Sequence, residues 1–279
     1  MKPVAVWVLA SCLAAVVFAS EQIPAQDLSV DQIVEKNVEA RGGLDAWRKV
    51  QTMIWSGHVD SANAPAPDLP FVLAMKRPNK TRFEVTVFNQ KSVRVFDGRQ
   101  GWKLGPNGMG SATPRPYSME EATSARDEQV IDGLLIDHAA KGVSVTLEGK
   151  DQVGGRDAYR LAATLPSGVT RHVWVDARTF LDVQIDRQVR TPLGQTVLVL
   201  VQYSDFRSVD GLQMPLSIVS GAVASDKKDK LTIDKVSLNP ALDDGIFTRP
   251  APPQMHQRKS VSIDVDASPV LPGAGHPSP

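Results

Sequence analysis

The sequence predicts an α+β chain that is mainly β, built as one large antiparallel sheet with short helices over its dry face. Three observations carry this. First, segments between Met53 and Leu238 repeatedly alternate apolar and polar residues with a period of two and are rich in β-branched and aromatic side chains, the mark of half-buried strands. In Thr81–Phe88, Phe83, Val85 and Val87 point one way and Arg82, Glu84 and Thr86 the other. Second, the connections are mostly about two to six residues long, as hairpins require, with no room for parallel crossovers. Third, helical periodicity occurs in only two places, before the first strand and midway along the chain. A sheet with one dry face must cover it, and these helices are the available cover.

The elements follow in order. Lys2, an apolar run from Val4 to Phe18, and Val17-Phe18-Ala19 read as an export signal over residues 1–19, with 20–28 as a polar spacer. The apolar run is shorter than the ~20 residues needed to span a bilayer. Leu9-Ala10-Ser11-Cys12 resembles a lipobox, so the alternative is a lipoprotein anchored through Cys12. Ser29 and Gln32 form a capping box, and Val30, Ile33, Val34 and Val38 recur at helical spacing. Gly42-Gly43 stops that helix, and Leu44, Trp47 and Val50 suggest a second short one.

Strands are expected at 52–59, 69–77, 81–88, 92–96 and 101–104, with Asp97-Gly98 as a tight turn and 105–116 as a loop. From Ser118 to Ala140 the period predicts one or two further helices. Strands resume at 143–153, 157–165, 169–176, 181–189, 195–206, 212–221 and 230–238. Val197–Val201 is apolar on both sides, which predicts a central strand covered on both faces. No composition shift marks a domain boundary, and the Pro-rich tail, residues 251–279, is expected to be disordered.

Charge and chemistry narrow the function. Lys plus Arg equals Asp plus Glu, 31 each, so no overall field favours nucleic acid. One cysteine, Cys12, excludes an internal disulfide framework and argues against thiol catalysis or a zinc cluster. The sequence has no Gly-x-Ser-x-Gly elbow, Walker loop or His-Glu-x-x-His helix, and its five histidines share no ligand spacing. No enzyme activity and no cofactor or metal is expected. His58 and His172 read as strand histidines, Asp243-Asp244 as a turn or helix cap, and Gly154-Gly155 as a hairpin turn. Of the tryptophans beyond the signal, Trp55, Trp102 and Trp174 fall on strands. They read either as core or as the lining of an apolar cavity between sheet and helices, where acyl chains need only shape and a mouth.

Several stretches, taken together, resemble a known family. Lys76–Val85 (KRPNKTRFEV) followed by Val95–Leu104 (VFDGRQGWKL) resembles the strand entry and hairpin of the LolA/LolB-like lipoprotein-carrier superfamily. His172–Arg187 is similar to its W-x-D-x-x-T hairpin through Trp174, Asp176 and Thr179, with Asp182 where the family usually has proline. Tyr203–Ile218 and Asn239–Pro250 resemble its closing segments, and Gln32–Met53 its opening helix.

The resemblance covers residues 29–250 in order. It implies a half-open, curved, incomplete barrel with helices in its concave face, carrying lipoproteins or lipid through the periplasm. The expected partners are acyl chains of a lipoprotein or lipid, with an inner-membrane donor and an outer-membrane acceptor, and the expected state is a monomer. Family carriers use a strand arginine to hold the lid. Arg82 and Arg94 lie in the right region, but neither matches residue by residue, so no lock is assigned. The rival readings are an envelope sensor or assembly partner that binds protein, and an envelope lipid hydrolase. The cavity candidates are Trp55, Phe71, Leu73, Phe83, Val85, Val87, Trp102, Leu161 and Trp174. A register slip of one would exchange the faces.

Overall fold

The computed structural model describes residues 28–62, 64–105, 113–128, 131–190 and 194–251. The expected signal, nearly all of the spacer, Cys12 and the tail beyond residue 251 lie outside the described residues.

Helix α1 (Val30–Ala40) starts at the expected capping box: the Gln32 backbone N–H donates to Ser29 Oγ, and Gln32 Oε1 accepts from the Ser29 N–H. Its apolar stripe buries Ile33 and Val34. The chain turns through Gly42 and Gly43, both at positive φ, into α2 (Leu44–Lys49), which buries Trp47 completely.

Six strands follow: β1 (Thr52–Ser61), β2 (Leu69–Lys76), β3 (Lys80–Val87), β4 (Gln90–Phe96), β5 (Gly101–Leu104) and the two-residue β6 (Arg115–Pro116). After helix α3 (Met119–Asp127) come β7 (Ser144–Val153), β8 (Arg156–Thr164), β9 (Thr170–Asp176) and β10 (Asp182–Arg190). The last are β11 (Thr196–Val209), β12 (Leu212–Ala222) and β13 (Asp229–Leu238), before a single 3-10 turn, Asp244–Phe247.

The thirteen strands of the described residues form one antiparallel, unclosed and curved sheet in the order β6-β5-β4-β3-β2-β1-β13-β12-β11-β10-β9-β8-β7. Two meanders, β1 to β6 and β7 to β13, therefore meet at a seam where β1 pairs with β13. The arrangement has a topological consequence. β6 and β7 are the two outer edges, so the chain joining them must travel the full width of the sheet. It does so across one face, called inner here, which also carries α1 and α2. Ile131 and Ile136 from this strap pack with Met53, Met75 and Met214, and Leu134 and Leu135 pack with Ile33, Leu161 and Val173.

Two expectations need correction. The second helical region is α-helical only over Met119–Asp127; residues 131–142 are successive turns. Gly133 and Asp137 take positive φ there, and Lys141 Nζ donates to the carbonyls of Gly133 and Ile136, which a helix would have given to amides. β11 is interior to the sheet, but Leu198 on its outer face is 43% exposed, so that strand is not covered on both sides. Gly154 and Gly155 form the β7–β8 turn at positive φ, and Asp243 caps the 3-10 turn by accepting from the Gly245 N–H, both as expected.

Candidate functional site

Register assigns the faces. Trp55 pairs with Leu73, Leu73 with Phe83, Phe83 with Arg94 and Arg94 with Lys103, all on the inner face. One residue over, Ile54, Ala74, Arg82, Val95 and Trp102 line up on the outer face.

On the inner face, Phe71 and Ile233 are buried at the centre of an apolar cluster that also takes in Val59 and Leu69. Around them Trp55, Leu73, Phe83, Val85, Val87, Leu216, Ile218 and Leu231 are only half buried. Among the described residues the cluster also holds Ala64 and Ala66 of the β1–β2 loop but none of the helices or the strap, and Trp55 and Leu73 pack as well against the neighbouring cluster that holds Trp47, Ile131 and Ile136. The result is an apolar floor of several strands' width, left half open beside its cover.

Six of the nine cavity candidates, Trp55, Phe71, Leu73, Phe83, Val85 and Val87, meet in this floor. Leu161 shares the face but is fully buried under α1, with Ile33 and Leu135. Trp102 and Trp174 are on the other face. Trp102 packs with Ala74, Val95 and Phe247, the last supplied by the 3-10 turn. Trp174 packs with Val153, Ala158 and Val183, its Nε1 donating to Asp151 Oδ2 at 3.1 Å. A cleft of about 710 Å³ opens elsewhere, at the α1–α2 corner between Gly43, Lys49, Asp210 and Asn239, and none of the nine lines it.

The cover is docked by buried charge. Asp132, 3% exposed, receives Arg77 Nη2 at 2.6 Å and Lys141 Nζ at 2.5 Å, and its carbonyl accepts from Arg41 Nη1 at 2.8 Å. Burial, opposed by Asp132 and reinforced by the neighbouring arginines, lowers the Lys141 ammonium below its ordinary value. Arg41 also stacks over Trp47 at 4.7 Å and reaches Asp182 Oδ2 at 3.0 Å, while Asn37 Nδ2 donates to Asp182 Oδ1 at 2.7 Å. Asp182 is the residue at which the sequence departs from the carrier pattern, and it clamps α1 to the β9–β10 hairpin. None of Arg41, Arg77, Asp132 or Asp182 was a sequence candidate. The departure at 182 was the one visible signal.

Helix α3 has no buried side chain, and Met119 is 83% exposed. Polar contacts tie it to both wings. Arg94 of β4 and Lys103 of β5 hold Glu121 at 3.1 and 2.8 Å, and Arg190 of β10 holds Glu120 at 3.2 Å. Asn79 Nδ2 donates to the carbonyls of Ala125 and Arg126, and Ser167 Oγ donates to Asp127. Burial alone would raise the Glu121 carboxyl. The hydrogen bonds from Lys103, the Ser118 N–H and Arg94 outweigh it and hold the group below its ordinary range. Of the two strand arginines Arg82 and Arg94, Arg94 thus contacts the cover, whereas Arg82 lies on the outer face and donates to the Ile246 carbonyl.

His172, also on the outer face, stands between Asp186 (2.7 Å) and Glu148 (3.4 Å), and His58 lies 2.9 Å from Asp234. No cluster of three or more metal-ligating side chains occurs among the described residues. Among them, too, no helix is long and apolar enough to cross a membrane.

No protein-family model matches the sequence, and no curated protein matches it. Solved structures do match in fold. A LolA superfamily protein from Nitrosomonas europaea superposes with a TM-score of 0.52 at 16% identity, over 80% of this chain and 98% of that one. An outer membrane lipoprotein-sorting protein domain from Vibrio parahaemolyticus gives 0.50 at 12% identity, over 77% and 94%. The chain has a LolA-like fold.

Proposed function

We propose that this protein is a carrier of the bacterial envelope that shelters the acyl chains of a lipid or lipoprotein on the half-open floor of its sheet. The observation that carries the reading is the floor itself: Phe83, Val85 and Val87 flank buried Phe71 and remain only half buried, while Trp55 and Leu73 join this floor to the cluster under the strap. Apolar surface left in water costs about 25 cal/mol per Å², and an acyl chain laid on it recovers about 0.8 kcal/mol per buried methylene. The strap crosses the same face and is fastened at α3 by exposed ion pairs, which are weak fastenings. Moving α3 would expose little new apolar surface, because none of its side chains is buried. Cargo then leaves when an acceptor offers a better apolar environment, with no bond broken.

Native mass spectrometry of the protein purified from its own envelope tests this. A lipid or lipopeptide that stays bound under gentle conditions and dissociates on denaturation is the expected result, and its mass names the cargo class. Protein recovered empty from every preparation, and failing to take up acyl probes, would overturn the carrier reading and favour a protein-binding role.

A further inference from the structure

We propose that Arg187 and Arg171 form an oxyanion subsite on the inner face, which holds the carboxylate or phosphate head of an amphiphile while its chain runs toward the apolar floor. The inference rests on the carrier reading and specifies its cargo.

Along β10 the inner-face residues are Ile185, Arg187 and Val189, paired with Val201, Val199 and Val197 of β11. A guanidinium thus stands in a wall of valines. Its Nε is buried with no hydrogen-bond partner, and Arg187 joins no ion pair among the described residues. A buried, charged donor left unpaired is costly and calls for an explanation. Ile185 pairs with Val173 of β9, the Asp186 carboxylate meets His172 one residue on, and Arg187 and Arg171 take the next inner-face positions of the two strands. Arg171 is 6% exposed, and its carboxylate partner is Glu128 at 3.5 Å, just past the end of α3. Nearby carboxylates are otherwise engaged: Asp182 with Arg41 and Asn37, and Asp186 with His172 on the opposite face. Of the two guanidiniums, therefore, Arg171 has one loosely held carboxylate and Arg187 has none among the described residues.

An arginine pair of this kind suits a carboxylate or phosphate, which a guanidinium binds through two parallel hydrogen bonds. The surroundings make that anion the head of an amphiphile. Arg187 pairs with Val199, and four residues along β11, ~13 Å, Tyr203 pairs with Ile218 and Ile218 with Leu231, both floor residues, so the inner face leads from Arg187 to the floor obliquely. β10 and β13 are three strand spacings apart, ~14 Å, a span that a long acyl chain covers.

The test is calorimetric titration of the full chain with oleate, oleyl alcohol and inorganic phosphate. Oleate should bind about tenfold tighter than the alcohol, as a charge-assisted contact provides. Arg187→Met should bring oleate down to the level of the alcohol without changing alcohol binding, which also reports that the variant is folded. Glu128→Gln, which removes the competing carboxylate, should tighten oleate binding and leave the alcohol alone. If Arg187→Met leaves oleate unchanged while both amphiphiles bind, the subsite is wrong and the carrier reading stands. If phosphate alone binds as tightly as oleate, the amphiphile assignment falls. If neither amphiphile binds, the carrier reading fails and the subsite with it.

Discussion

The Arg77 guanidinium at the end of β2 lies 2.6 Å from the Asp132 carboxylate in the strap, joining two positions 55 residues apart in sequence. Arg77 also donates to the carbonyls of Val50 and Trp47, so one side chain ties together the sheet, the end of α2 and the cover. Removing Asp132 would strand Arg77 and Lys141 against buried surroundings. Asp132→Ala is expected to cost about 3–5 kcal/mol, as for other buried pairs broken on one side. Urea unfolding measures it, and a loss below about 1 kcal/mol would show the hub to be no stronger than a surface pair.

The α3 fastening predicts a local pH response. The Glu121 carboxyl is held below its ordinary value of 4.5, so its contribution is complete above that value and is lost as the pH falls through the lowered one. Protection of residues 119–127, exchange corrected for its intrinsic pH dependence, should therefore fall on acidification through that window. In Glu121→Gln protection should be low already at pH 7, with a weaker dependence left to Glu120. Global stability should change by no more than about 1 kcal/mol, since the contacts are partly exposed. Unaltered exchange in the variant would mean that Asn79 and Arg190 suffice to hold the helix.

The two faces make opposite predictions for cargo. Val85→Lys puts a charge on the floor and should reduce binding of a fluorescent acyl probe at least about tenfold, the loss of some 1.4 kcal/mol. Trp102→Phe and Trp174→Phe, on the outer face, should leave the probe affinity as it was. Equal losses from both faces would indicate general destabilisation rather than a binding floor.

Phe247 is fully buried against Ala74, Val95 and Trp102, although it comes from a four-residue turn after the last strand. Phe247→Ala should cost about 3–5 kcal/mol by leaving a cavity on the outer face. A drop in thermal midpoint with unchanged probe binding per folded molecule would support this structural role.

Much of this architecture was legible in the sequence because a period of two is hard to disguise. Strand boundaries agreed to within three residues, except that β6 fell inside the loop expected at 105–116, and Phe83, Val85 and Val87 fell on a common face as their alternation required. Trp102 and Trp174 illustrate what periodicity leaves open. Each alternates correctly within its own strand, but which face is inner depends on pairing across strands, as in Val95 with Trp102. The docking hub was hidden for another reason. Arg41, Arg77, Asp132 and Asp182 are ordinary surface types in sequence, and only long-range pairing buries them. The strap misled because its apolar spacing suits a helix, whereas Gly133, Asp137 and the Lys141 ammonium favour turns.

The seam between β1 and β13 has a kinetic consequence. Met53 pairs with Leu238 there, while every other strand pairing joins consecutive strands. Each wing can thus assemble from local hairpins, the fast events of β folding, before the ends of the sheet find each other. Joining them closes a loop of most of the chain, yet that entropy grows only logarithmically with length. Seam formation is therefore expected to be the late step. Until it occurs, the edges of β1 and β13 stand open side by side with the apolar floor, and in that interval the chain is most prone to pair with another molecule instead of with itself.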